Sequence, residues 1–468
     1  MLQSAMPVMS AGLVPEVLPA VMADVPAVPE MLPAPLPVLA LPAWLPADLP
    51  YAGRAALAGT LPGRRPERGE LARAAGQACR DEGECARLLR FLDAVGDPRG
   101  RRGRVYPLGC LLALPLVAGM AGDDELDAAG ERIAPAPEEL LLKLGAPRDR
   151  SGRARRPDAT ALGRVLAAVD QCHYDDALCA RAAARARTQR PGLRRHLRAD
   201  GKALRGAAPR GGRAPMLLPG IWDDGTTAAQ RPVNVARTNE IPVFRQLLKK
   251  VPGQDLAGAV ITAGQMHAQR EHARQIAARG AYFVFTTGEN QPGLFDAAGA
   301  LCWKSLAVED WTVDRGHGRV DARTIKTMPA IARIAALFPH VAQVFLVERH
   351  SYGLDGSLLG AVAVPGITSL PPGQAGPGDL LAYLRGHWAI EMRHYARDAC
   401  LGEDASRVSR AHQAKAAIRN TIIAILHLHQ VPNIAAQLRA CHRDPCRLPL
   451  QLPGLTTPLT PTRNPAVT

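Results

Sequence analysis

The sequence predicts an α/β fold, a mixed sheet flanked by helices, preceded by a small all-α domain and a Pro/Ala-rich leader. Three observations predict it. From about Cys85 to Gln189 apolar residues recur at helical spacing. At Leu197 the texture changes to short apolar runs alternating with amphipathic stretches, the pattern of strands and helices in one sheet. Before residue 64, proline recurs among Ala, Val, Leu and Met, which prevents helix and interrupts sheet. The expected divisions are 1–75 (leader), 76–190 (helical domain), 191–440 (α/β domain) and 441–468 (tail). The 468 residues, 47% of them hydrophobic, can supply cores for two or three domains.

Residues 1–75 read as an extended, disordered leader, and equally as a translated upstream region. Cys85–Val95 is an amphipathic helix ended by the basic, turn-rich Gly96–Gly103. Tyr106–Gly119 is a buried helix that Pro115 should interrupt. Pro137–Leu144, Asp158–Val169 with Asp158 as N-cap, and Tyr174–Arg187 complete a bundle. Leu197–Asp200, Pro215–Trp222 and Gln230–Val235 follow as three strands. Helix Ile241–Lys250, strand Ala259–Ala263, helix Met266–Arg279 and strand Ala281–Thr286 alternate next. Strands Trp311–Asp314, Val320–Thr327, Gln343–Glu348 and Leu358–Val364 add a further sheet or insertion, and helices 377–398 and 407–430 close the domain.

The formal net charge is +14. A field of that sign suits a polyanionic partner, most simply nucleic acid, although an Ala/Arg/Pro/Gly-heavy composition also follows from G+C-rich coding DNA. Nine scattered cysteines form no disulfide framework and read as reduced thiols. Cys441, His442 and Cys446, with His427 and His429 upstream, fit no standard zinc spacing. No proline-free apolar run has membrane-spanning length, and no Lys or Arg precedes Arg54, so the expected setting is cytoplasmic, without a membrane partner.

Two stretches carry candidate chemistry. Residues 385–404 crowd His387, Trp388, Glu391, Arg393, His394, Tyr395, Arg397 and Asp398 together. On one straight helix His387, Glu391 and Asp398 share a face, and a charged, solvated helix is the competing reading. Asp200 ends a strand in Arg198-Ala199-Asp200-Gly201-Lys202-Ala203-Leu204-Arg205, where glycine permits close backbone approach and Lys202 and Arg205 can meet phosphate. A turn aspartate is the plainer reading of Asp200.

Taken in order, the motifs resemble insertion-sequence transposases of the H-repeat-associated type, in the DDE transposase superfamily. The resemblance runs from about Leu88 to Leu448. It rests on Leu92-Asp93 through Asp97-Pro98-Arg99-Gly100-Arg101-Arg102, Asp200–Gly206, Arg237-Thr238-Asn239-Glu240-Ile241-Pro242 and Met266–Ala273. Asn290-Gln291-Pro292, His317-Gly318-Arg319, Ile367–Leu370 and Arg385-Gly386-His387-Trp388-Ala389-Ile390-Glu391 continue it. It implies a ribonuclease-H-like catalytic domain and metal-dependent strand cleavage and strand transfer on DNA, both element ends and target. It also implies Mg²⁺ or Mn²⁺ held by Asp200 and Glu391, and DNA contacts from Lys202, Arg205, His387, Arg393 and Arg397. A homo-oligomer and a bacterial, nucleoid-associated location are implied as well.

The sequence departs from that pattern at several points. Gly264 stands where the family has its second catalytic Asp, which weakens the expected metal binding and activity. Gly288 stands where a lysine is usual, with Glu289 beside it. The chain is one residue short between Glu391 and His394-Tyr395. The expected protein is therefore a catalytically impaired transposase; the alternatives are a silent transposase-derived DNA-binding protein and a decaying remnant.

Overall fold

The computed structural model describes residues 84–123, 126–185, 194–316, 318–407 and 410–444. The leader at 1–75, His317, Cys446 and most of the tail lie outside the described residues, as does the 190/191 division.

The N-terminal helices are α1 (Glu84–Asp93), α2 (Leu108–Met120), α3 (Leu126–Ile133), α4 (Glu138–Lys143), α5 (Ala159–Ala168) and α6 (Gln171–Arg185). Asp158 caps α5 as expected, accepting from the Ala161 N–H. Pro115 does not interrupt α2, which runs through it with nearly every residue buried. Burial on all sides holds this apolar helix together and outweighs the hydrogen bond that proline removes. Leu88, Leu92, Leu111, Leu112, Leu162 and Tyr174 form a core that also takes Ile418, Ile422 and Leu426 from α14 (His412–Leu428). Bundle and C-terminal helix thus share one apolar interior.

The sheet has ten strands: β1 (His196–Ala199), β2 (Lys202–Ala203), β3 (Met216–Trp222), β4 (Thr227–Val233), β5 (Val260–Ala263), β6 (Tyr282–Thr286), β7 (Asp310–Gly316), β8 (Arg319–Pro329), β9 (Gln343–Gly353) and β10 (Leu358–Thr368). The first half has the order β4-β3-β1-β5-β6. There β3 is antiparallel to β1 and β4, while β5 and β6 run parallel to β1 and to each other. An antiparallel three-strand meander extended by two parallel crossover strands is the ribonuclease-H-like order, as expected. The second half, β10-β9-β8-β7, is antiparallel and joins at β6.

Helices α7 (Glu240–Lys250), α9 (Arg270–Ala278), α10 (Pro292–Gly299) and α11 (Ala332–Leu337) supply the apolar side chains over one face; the short turn α8 (Gly253–Leu256) precedes β5. Helix α12 (Pro377–His387) covers the other with Leu380, Leu381 and Tyr383. Helix α15 (Ile434–Arg443) follows α14. Pro219 stands in β3 where neither β1 nor β2 pairs with it, so its missing N–H falls in an interruption of the ladder.

Two expected helices are corrected. The helix placed at Met266–Arg279 starts only at Arg270, after a 3₁₀ turn over Gln265–His267. The helix placed at 377–398 is three pieces: α12, then α13 (Ala389–Tyr395), then a π turn over Ala396–Cys400. At Trp388 bonding tightens to three residues, Trp388 N–H donating to Arg385 O, and at Leu401 it widens to five, N–H to Ala396 O. His387, Glu391 and Asp398 therefore do not share one straight helix face.

Candidate active site at the strand ends

Strands β1 and β5 are parallel, and Ala199 is the register partner of Ala263. The next residues, Asp200 and Gly264, leave the sheet side by side at its carboxyl edge, where open α/β sheets place their ligands. Gly201 follows Asp200 and touches a third carboxylate: a Cβ at 201 would collide with Glu240, the first residue of α7. Glu240 in turn lies 3.3 Å from His267 Nε2. Asn239 caps α7, accepting from Ile241 N–H, which sets Glu240 in the first turn and turns it inward. The Arg237–Pro242 motif named Glu240 without marking it as a site residue; its position directly after a cap was the available signal.

Burial, together with Glu240 and Glu391, pushes the Asp200 carboxyl up to about 7, against the opposing hydrogen bond from Gly201 N–H. Oδ2 of Asp200 is 3.8 Å from His394 Nδ1. Burial and the cations Arg397, Lys202 and Arg393 hold that imidazole well below its usual value, so His394 gives Asp200 no full counter-charge. Glu391 is exposed on α13.

His387 is hydrogen-bonded, Nδ1 to Thr262 Oγ1 at 3.0 Å, and the same hydroxyl lies 2.7 Å from His196 Nε2. Burial lowers His387 to about 4, so it stands neutral at physiological pH. Arg205 is 60% exposed and pairs with Asp404 at 3.0 Å.

Three expected DNA-contacting residues are corrected, because each is folded inward. Lys202 is buried against Asp398 at 2.8 Å and Asp404 at 3.5 Å. Arg393 is buried between β4 and α14, donating to Gly225 O, Thr227 Oγ1 and Asn420 O. Arg397 is fully buried and donates to Glu403 Oε1 at 2.7 Å. Buried in this way, neither guanidinium faces a phosphate outside. The sequence could not reveal this, because spacing does not tell an inward arginine from an outward one. Exposed arginines not singled out from the sequence stand nearby instead: Arg210 and Arg213 after β2, and Arg237 before α7. Arg213 Nη1 reaches Val235 O at 3.3 Å, tying the first loop to the second.

The residues present do not fit the Mg²⁺ or Mn²⁺ that the family resemblance implies. Two-metal sites need a charged oxygen cage. Here Gly264 has no ligating side chain where the family pattern has a carboxylate. Among the described residues no group of three His, Cys, Asp or Glu is placed to hold a metal ion. Gly264 itself is unstrained at φ −55°, ψ 159°, and a Cβ there would meet open space.

No family model matches the chain, and no curated protein matches it. Among the described residues no helix is long and apolar enough to cross a membrane. Among solved structures the chain is similar to a piggyBac transposase in a synaptic complex with hairpin DNA. The identity is 9%, 81% of each chain is covered, and the TM-score is 0.38, a likeness too distant to decide fold or function.

Proposed function

We propose that this chain is a DDE-type transposase by descent that binds DNA through its exposed arginines and does not cleave it. The observation that carries the reading is the meeting of Asp200, position 264 and Glu391 at the ends of β1 and β5 and on α13, with glycine in the middle. Phosphoryl transfer asks little of a protein beyond charge and positioning, and glycine removes the charge that the two flanking carboxylates need for a shared cation. What remains is an electrostatic surface. Arg205, Arg210, Arg213 and Arg237 are exposed beside the strand ends and suit phosphates without reading bases. His387 stays neutral and keeps Thr262 and His196 in one hydrogen-bonded row across β1, β5 and α12.

The test is a nicking assay with Mg²⁺ or Mn²⁺ on duplexes carrying the DNA that flanks this chain's own coding sequence, comparing it with Gly264→Asp. We expect no cleavage by the unmodified chain and cleavage by Gly264→Asp, which the open space at 264 accommodates. Cleavage by the unmodified chain would sink the reading of silence. DNA binding is followed by anisotropy across salt. Arg210→Ala with Arg213→Ala should flatten the salt slope by about one for each phosphate no longer neutralised. An unchanged slope would remove these loops from the DNA surface.

A further inference from the structure

We infer that His272 is a pH-operated clasp between the turn that follows Gly264 and the first turn of α7, fastened when its imidazole is charged. The inference does not depend on what the strand ends bind. His272 lies on α9 with none of its surface exposed. Its Nδ1 is 3.0 Å from His267 O, in the 3₁₀ turn after Gly264. Its Nε2 is 3.0 Å from the carbonyl of Ile241, the residue after Glu240. A carbonyl oxygen only accepts, so each of these bonds needs an N–H on the ring. A neutral imidazole has one N–H and can make one of them; an imidazolium has two and makes both.

The surroundings decide when the ring is charged. From the turn comes His267, its ring 5.6 Å from that of His272 and its Nε2 3.3 Å from Glu240 Oε2. From α7 come Glu240, Arg245 and the Phe244 ring, 4.5 Å from the imidazole. On α9 itself Arg270, Glu271 and Arg274 are exposed, and the last two pair with each other. Burial disfavours the charge most, with His267 and Arg245 adding to it, and the bonds to the two carbonyls oppose them. The result is a value lowered to about 4.

Near neutral pH the ring is neutral and holds either the turn or the helix start, with the other carbonyl facing a ring lone pair. Acid adds the second N–H and joins the two segments, which fixes the turn after Gly264 against the helix start that bears Glu240. The folded value lies below the ordinary 6.5, so the unfolded chain takes the proton first. Fastening the clasp therefore works against stability, which falls as pH falls from about 6.5 to about 4.

The test is nitrogen–proton correlation spectroscopy of the imidazole rings in the full chain, labelled with ¹⁵N on its histidines and followed from neutral pH into acid. We expect one ring N–H from His272 near neutral pH and two in acid, with a midpoint at about 4. The signals are assigned by their loss in His272→Gln or, if that variant does not fold, by their proximity to the Phe244 ring. At about pH 5 about a tenth of such rings are charged, so the ring nitrogen shifts move even if stronger acid unfolds the chain. Two N–H signals at neutral pH overturn the proposal, because the clasp is then always fastened. Ring shifts that stay constant between about pH 7 and about pH 5 overturn it, and so does a charged ring in the folded chain that shows a single N–H.

Discussion

Two clusters of charge lie a few residues apart in the chain and are built on opposite principles. At the ends of β1 and β5, Asp200, Glu240 and Glu391 gather with little compensating charge, and Asp200 is pushed up to about 7. Beneath α13 bases meet the acids, although burial still raises the Asp398 carboxyl above its ordinary value. Lys202 meets Asp398 and Asp404, and Glu403 lies between Arg397 and Arg419. Burial works to raise Glu403, but those arginines and Lys202 more than offset it and hold it below its ordinary value. Compensated acids hold structure together; under-compensated acids at a sheet's carboxyl edge are only candidates for a functional site. That difference separates Lys202 and Arg397, which the motif pattern had grouped with the site, from Asp200 and Glu391.

The largest expected effect is in the compensated cluster. Glu403→Gln leaves Arg397 and Arg419 buried without their carboxylate and should cost about 3–5 kcal/mol in denaturant unfolding. A loss under ~1 kcal/mol would mean that the pairing is not structural. Next is Gly201→Ala, which drives a methyl into the Glu240 carboxylate and should cost about 1–3 kcal/mol. Gly264→Ala is the matched control at the neighbouring strand end. It meets open space at an ordinary backbone conformation and should stay within about 0.5 kcal/mol. Equal effects from the two glycines would remove the close approach of Glu240 from the account.

A further effect, at the same strand end, depends on pH. The Asp200 carboxyl is higher in the folded protein than its ordinary 3.8, so the folded state holds the proton longer than the unfolded chain. Stability is therefore lost as pH rises from about 4 to about 7 and stays reduced above. Asp200→Asn should raise stability at pH 8 and change little at pH 4. With 39% of the side chain exposed, solvent screening leaves a gain of about 1 kcal/mol. A melting temperature raised equally at both pH values would show that charge is not the cause.

Much of this was legible in the chain. The strands at 197–200, 215–222 and 259–263 follow from short β-branched and apolar runs, because a buried strand needs little else. Asp200 and Gly264 could be placed at strand ends for the same reason. Other features were not legible. The helix expected at 377–398 breaks at Trp388 and opens into a π turn, since helix periodicity does not register a change of hydrogen-bond step. Pro115 sits inside a helix because surrounding Leu and Ile side chains hold it there.

The sequence by itself determined the alternation of elements and the carboxylates at their ends, because these are properties of residue type and local spacing; that an acid is missing at 264 was implied only by the family resemblance. Only the tertiary structure decided which arginines face inward, that Glu240 joins Asp200 across Gly201, and that β6 pairs with only the last residues of β10. Each of those depends on what a distant segment brings alongside, and local spacing holds no record of that partner.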